Sequence, residues 1–233
     1  MSNPNNINIS WTWNFHDEVN YTMELVSWVN QKVVEQISAS NKEPNWMLEL
    51  RLKALEIYKS KPMPNWWPNL SNLDLESIYY FAKPEGAGNN KSWEDVPENI
   101  KKTFDRLGIP EAEKKSLAWV GAQYDSETVY HSLKDEIANQ WVIFDDLSHA
   151  LQVPEYEAII KKYFSKSIPL ADHKFSALHY AVWSGWTFLY IPSGVKISEP
   201  LQSYFRMNVK SWGQFEHTLI ILEDDTQAHY IEW

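Results

Sequence analysis

A chain of 233 residues, 44% of them hydrophobic and 15% aromatic, carries enough apolar material for one sizeable core or two small ones and is not a disordered polypeptide. Its 31 acidic residues outnumber 21 basic ones, and the formal charge of -10 opposes a general affinity for nucleic acid or anionic membrane. It contains no cysteine, which excludes disulfides and thiolate ligands, and no run approaches the roughly eighteen apolar residues that span a bilayer. The Asn-rich start lacks the basic and apolar regions of an export signal, so the expectation is a cytoplasmic protein.

Residues 1–16 read as a flexible lead-in. Behind Asp17, the residues Val19, Met23, Val26, Val33 and Ile37 recur near helical spacing and predict a helix over 17–38. Pro44 suits the first turn of a second helix, which Lys61-Pro62-Met63-Pro64 stops after Ser60. Residues 65–90 read as a coil-like connector whose Trp66, Trp67, Tyr79 and Tyr80 pack on the helices. Val96–Leu107 and Glu111–Leu117 read as short helices broken by Gly108-Ile109-Pro110. The pattern over 120–130 is ambiguous. Trp141–Phe144 predicts a strand, followed by helices over 145–151, 154–164 and 175–182.

Phe188–Ile191, Leu201–Met207, Leu219–Leu222 and Ala228–Ile231 are short runs rich in aromatic and β-branched residues, separated by Pro-Ser-Gly, Ser-Trp-Gly and Asp-Asp-Thr turns. The spacing fits a hairpin sandwich or the first rungs of a β-helix better than a βαβ unit. The chain therefore divides into a mainly helical part, 17–168, and a β part, 169–233.

Seven histidines invite a metal reading, but neither the pair His173 and His179 nor the pair His217 and His229 has a metal-motif spacing. Asp145-Asp146 with His149 places carboxylates and an imidazole on one helix face, which N-capping explains more simply. Glu223-Asp224-Asp225 reads as a solvated turn. Arg206 and Asn208, two apart on a strand, would share a face and offer several donors to an anion or a sulfur species.

The segments Asp172-His173-Lys174-Phe175-Ser176-Ala177-Leu178, Tyr190-Ile191-Pro192-Ser193-Gly194-Val195, Tyr204-Phe205-Arg206-Met207-Asn208 and Gly213-Gln214-Phe215-Glu216 resemble the SufB branch of the SufB/SufD family, scaffolds of iron-sulfur cluster assembly. The likeness extends upstream through Lys42-Glu43-Pro44-Asn45-Trp46, Leu107-Gly108-Ile109-Pro110 and Gln123-Tyr124-Asp125-Ser126-Glu127. It implies an α+β protein: a helical N-terminal domain followed by a right-handed parallel β-helix. It also implies SufD-like and SufC-like partners, sulfur-donor proteins, and a scaffold role without catalysis, the partner SufC being the ATPase. Arg206 and Asn208 match family positions on a sulfur path inside the β-helix. An Fe-S cluster belongs to the full-length family, and no metal or cofactor is expected on this chain. A SufD-like interaction subunit without cluster ligands and a β-helix enzyme acting on polysaccharide are the alternatives.

Two departures from the family stand out. The family continues from a Tyr-x-Glu-Gly motif into a cysteine, whereas this chain closes on Tyr230-Ile231-Glu232-Trp233, so the expectation is an N-terminal fragment, aggregation-prone and unable to hold a cluster alone. Trp119, Trp141, Trp186 and Trp233 stand where the family carries glycine, in a chain with 13 Trp and 7 Gly. That pattern suggests either a glycine codon read as tryptophan, as a reassigned UGA would produce, or a divergent paralogue.

Overall fold

The computed structural model describes residues 20–25, 29–66, 69–85, 93–106, 119–185, 187–208 and 213–232. Glu111–Leu117, Trp67, Trp186 and Trp233 lie outside them, as does the lead-in. The mixed α and β class holds, with helices and strands interleaved along the chain.

The region predicted as one helix over 17–38 is instead a strand, β1 (Tyr21–Leu25), followed by α1 (Gln31–Ser40). Tyr21-Thr22-Met23-Glu24-Leu25 finds an antiparallel partner in β2 (Phe81–Pro84), and this distant pairing outweighs the sparse helical spacing. Helix α1 begins where the Asn30 side chain accepts a hydrogen bond from the Val33 amide at 3.1 Å. Helix α2 (Asn45–Ser60) starts behind Pro44, as expected, with Pro44 as its N-cap. Its C-terminal carbonyls are closed by a residue far along the chain: Lys174 Nζ donates to Tyr58 O at 2.7 Å and to Lys61 O at 2.8 Å.

Helices α3 (Glu98–Arg106), α4 (Asp135–Ala138), α5 (Leu147–Ala150), α6 (Pro154–Tyr163) and α7 (Lys174–Val182) follow. The ambiguous stretch is an antiparallel hairpin, β3 (Trp119–Tyr124) and β4 (Glu127–Leu133). β5 (Ile143–Asp145) then precedes β6 (Phe188–Ile191), β7 (Leu201–Arg206), β8 (Leu219–Leu222) and β9 (Tyr230–Glu232).

Consecutive strands of the final region do not pair as hairpins. β6 lies parallel to β8 and β7 parallel to β9, and an isolated parallel bridge joins Lys196 to Gln227. The chain thus alternates between two sheets, in the orders β5-β6-β8 and β4-β3-β7-β9. Connectors too long for a two-residue hairpin turn permit this alternation.

Two apolar clusters hold the layers together. The larger joins α1 and α2 to α7 and β6 through Ile37, Met47, Leu55, Leu178, Trp183 and Phe188. The smaller lies under β5 and β6, with Val142, Phe144, Leu189, Ile197 and Leu201. Arg51, fully buried in α2, ties the first cluster to the end of α7. Its Nε donates to Glu43 Oε2 at 2.7 Å, Nη1 and Nη2 donate to the carbonyls of Ala181 and Trp183, and the guanidinium lies 3.8 Å from the Trp183 ring centre. A buried guanidinium is tolerated because its donors are spent on a carboxylate and two carbonyls.

Candidate functional site

The site grows from the turn between β3 and β4. Asp125 adopts the left-handed conformation there, φ 52, which aspartate tolerates better than most residues, and this turns its carboxylate inward. Its amide donates to Arg206 O at 2.8 Å, Oδ1 accepts from the Asn208 amide at 2.7 Å, and Oδ2 accepts from the Tyr21 hydroxyl at 2.7 Å. The neighbouring Ser126 fastens β2 to the same turn, its Oγ accepting from the Ala82 amide at 3.0 Å. One aspartate therefore gathers β1, the β3–β4 turn and the end of β7. Burial raises the Tyr21 phenol well above its ordinary pKa; a hydrogen bond with Asn208 opposes the shift and the Asp125 charge adds to it.

Arg206 and Asn208 are both buried here. Strand alternation does not tie them to one corner, because β7 ends at Arg206 and Asn208 lies beyond it. Asp125 does so, by engaging the backbone of both. Gln123 completes the corner, its Nε2 donating to Asp125 O at 2.8 Å. Its Oε1 is buried with no hydrogen-bond partner among the described residues. Gly185, φ 72, leaves the space this amide fills: a Cβ there would come within 2.3 Å of Gln123 Nε2.

Alongside, a chain of hydroxyls runs through the β region. The Tyr230 hydroxyl lies 2.8 Å from Ser203 Oγ, 3.1 Å from Thr187 Oγ1 and 2.8 Å from Glu232 Oε1, and Thr218 donates to the same Glu232 oxygen at 2.6 Å. Burial, with the Glu232 charge second, pushes the Glu216 carboxyl up to about 7. A cavity of about 20 Å³ borders Thr187, Ser203, Gln123, Thr128, Asp145 and Asp146, enough for a single water.

The comparisons with known proteins bear on this geometry. No protein-family profile matches the chain. The iron-sulfur cluster assembly protein SufB of Bacillus subtilis (strain 168) is 46% identical over 222 residues, which is 95% of this chain and 47% of that protein. Iron-sulfur cluster assembly SufBD family proteins of Staphylococcus aureus strains MRSA252 and USA300 match with the same identity and coverage. Over nearly its whole length the chain is similar to these proteins. It spans about half the length of the curated relatives it matches.

Within this SufB-like sequence the other candidates take definite places. The two histidines in contact belong to different spacings, neither of which matches a metal motif: His179 Nε2 and His217 Nδ1 are 2.8 Å apart, joining α7 to the segment before β8. Burial, then the nearby Arg51 charge, lowers His179 to about 4; burial, then His179 and Arg51, lowers His217 to about 3. The pair is therefore neutral at pH 7. His173 caps α7, with its Nδ1 accepting from the Phe175 and Ser176 amides, and His229 is exposed. Asp146 caps α5 through the His149 amide at 3.1 Å, as read from sequence. The structure adds that Asp145 Oδ2 lies 2.6 Å from His149 Nδ1. Burial raises Asp146 to about 6 against the pull of its Thr128 and His149 bonds. Glu223–Asp225 forms a turn, with Asp224 O accepting from Gly194 and Ser193. Among the described residues no three His, Asp or Glu side chains are grouped to hold a metal ion.

The residues that sequence reasoning missed are Asp125 and Tyr21. Asp125 sits inside a quoted family-like segment, and its signal was an aspartate between two β-type runs. Tyr21 had no signal, because its partner lies 104 residues away.

Proposed function

We propose that the chain is the SufB-like part of an iron-sulfur cluster assembly scaffold, receiving sulfur and helping to build a nascent cluster with SufC-like and SufD-like subunits in the cytoplasm. The observation that carries this is the 46% identity over 95% of the chain to the Bacillus subtilis protein. In this reading residues 17–168 form the mainly helical N-terminal part, which also carries strands β1 to β5. Residues 169–233 begin the β core, with β6 over β8 and β7 over β9 as the first coil of a right-handed parallel β-helix closed by the β3–β4 hairpin. The alternation between two sheets supports it, since a β-helix places each strand parallel to its equivalent in the next coil.

Sulfur delivered as an anionic persulfide meets a polar interior. The Arg206 guanidinium supplies positive charge and donors to it, and the Asn208 carboxamide adds hydrogen bonds. The hydroxyls of Thr187, Ser203 and Tyr230 extend the polar wall. The chain has no cysteine, so thiolate ligands for a cluster come from elsewhere in the assembly. The role is that of a scaffold, with ATP hydrolysis left to the SufC-like partner.

The test is a chimera in which residues 20–232 replace the matching segment of Bacillus subtilis SufB in cells depleted of their own. Restored growth and restored iron-sulfur enzyme activity are expected, and Arg206→Ala in the same chimera loses both. A chimera that accumulates, binds its partner subunits and yet fails to restore cluster assembly would overturn the reading.

A further inference from the structure

One groove of about 970 Å³ lies outside everything described so far. Its walls are Tyr58 at the end of α2, Lys174 at the start of α7, and the connector residues Met63, Trp66, Leu73 and Leu75. Three large apolar side chains stand open in it: Trp66 is 54% exposed, Leu73 42% and Met63 38%. Packing of the connector aromatics onto the helices does not describe Trp66. Its indole meets the His173 ring edge to face at 6.0 Å and is otherwise largely open.

Among the described residues lining the groove, two carboxylates, Asp74 and Glu76, stand against one ammonium, Lys174. Lys174, the basic side chain among the described residues that line it, donates to the carbonyls of Tyr58 and Lys61 and lies 4.3 Å from the Tyr58 ring centre, which holds its ammonium at the end of α2. Asp74 and Glu76 also line it and are exposed, with Asp74 Oδ1 accepting from the Glu76 amide at 3.0 Å. Their field reaches the groove wall: the Tyr58 phenol is raised first by burial and then by Glu76. Met and Trp are residues that interface cores favour. Apolar walls that include Trp66 and Tyr58, flanked by carboxylates, suit an apolar side chain with a cationic neighbour better than a phosphate.

We propose that this groove is a docking site for a short basic segment of a partner protein, one that seats an aromatic or leucine anchor against Trp66, Met63 and Leu73 and sets a Lys or Arg beside Asp74 and Glu76. The charge complementarity rests on two exposed carboxylates, Asp74 and Glu76, against the single ammonium of Lys174, which the Tyr58 and Lys61 carbonyls hold in place. The site is separate from the Asp125 corner, so it stands or falls independently of the sulfur path.

The test uses the 233-residue chain and a library of short random peptides displayed on phage, followed by one synthetic peptide of the winning sequence. Winners pairing an aromatic or Leu with Lys or Arg are expected. Trp66→Ala weakens the synthetic peptide by about tenfold or more. Glu76→Lys weakens it by roughly threefold to tenfold at low salt, a difference that shrinks as salt rises. Both side chains are exposed, and circular dichroism verifies that each variant keeps the parent fold. Absence of enrichment, acidic or uncharged winners, or binding indifferent to both substitutions overturns the proposal. So does a Trp66-dependent response to xylan oligosaccharides in place of the peptide, which would make the groove a carbohydrate surface.

Discussion

Tyr21 and Asp125 are joined by a 2.7 Å hydrogen bond across 104 residues of chain, and that bond fastens the first strand to the corner that holds Arg206 and Asn208. Tyr21→Phe removes one donor to a buried carboxylate and should cost about 1 to 3 kcal/mol. Asp125→Ala removes the acceptor of both the Tyr21 hydroxyl and the Asn208 amide, leaves the amide stranded, and should cost more. Urea unfolding of the three proteins gives the comparison. An Asp125→Ala chain as stable as the parent would mean that the corner is not held by this carboxylate.

Gly185 and Gln123 make a second pair whose energies separate cleanly. Gly185→Ala meets the Gln123 amide at 2.3 Å and must also hold φ at 72, so it suffers both a clash and backbone strain. Removing the amide in Gly185→Ala/Gln123→Ala relieves the clash alone. The single variant should lose about 2 to 4 kcal/mol and the double variant should retain about 1 kcal/mol of backbone strain relative to Gln123→Ala. Equal losses in the two backgrounds would show that the amide moves aside without cost.

Four partly buried groups set opposing pH dependences. His179 and His217, lowered to about 4 and about 3, take up fewer protons folded than unfolded below the ordinary value of 6.5, so their contribution falls as the solution is acidified through that range. Glu216 and Asp146, raised to about 7 and about 6, keep protons that the unfolded chain has released, so their contribution falls as pH rises through the same range. Between about pH 4.5 and 6 two protons oppose two, and the melting temperature should be nearly flat. His217→Phe should tilt the profile toward acid stability and Glu216→Gln toward neutral stability, each by up to about 1.4 kcal/mol per pH unit. Profiles parallel to the parent in both variants would show that these groups titrate as they do in the unfolded chain.

The final strands were legible because their cause is local. Phe188–Ile191 and Leu219–Leu222 are bounded by their own turns, and both strands match the reading residue for residue. The helix expected over 17–38 failed for the opposite reason, since only pairing with Phe81–Pro84 makes a strand of Tyr21–Leu25. Parallel pairing of β6 with β8 was left open by the turns, which fit a hairpin sandwich or a β-helix alike, and it was the family resemblance that pointed to a parallel arrangement. At the site, Arg206 and Asn208 stood out by residue type. The Asp125 that positions them did not, because an aspartate in a turn looks the same whether its carboxylate faces water or the core. The His179–His217 contact was equally silent, linking a helix to a loop through tertiary packing.

Trp141 is the remaining anomaly, and it is measurable. It follows α4 with φ 62, accepted by glycine and strained for an indole-bearing residue, and it is 82% exposed, so little burial compensates the strain. Of the four tryptophans at positions where the resemblance leads one to expect glycine, it is the one whose side chain lies within the described residues. Left-handed backbone costs an L-residue about 1 to 2 kcal/mol, while glycine adds roughly 0.5 to 1 kcal/mol of unfolded-state entropy to overcome. Trp141→Gly should therefore stabilise the chain by about 0.5 to 1 kcal/mol, whereas Trp141→Ala, which keeps a Cβ, should not. Urea midpoints for the two variants decide it. If alanine stabilises as much as glycine, the gain comes from removing an exposed indole and not from the backbone, and Trp141 does not stand in a glycine's place.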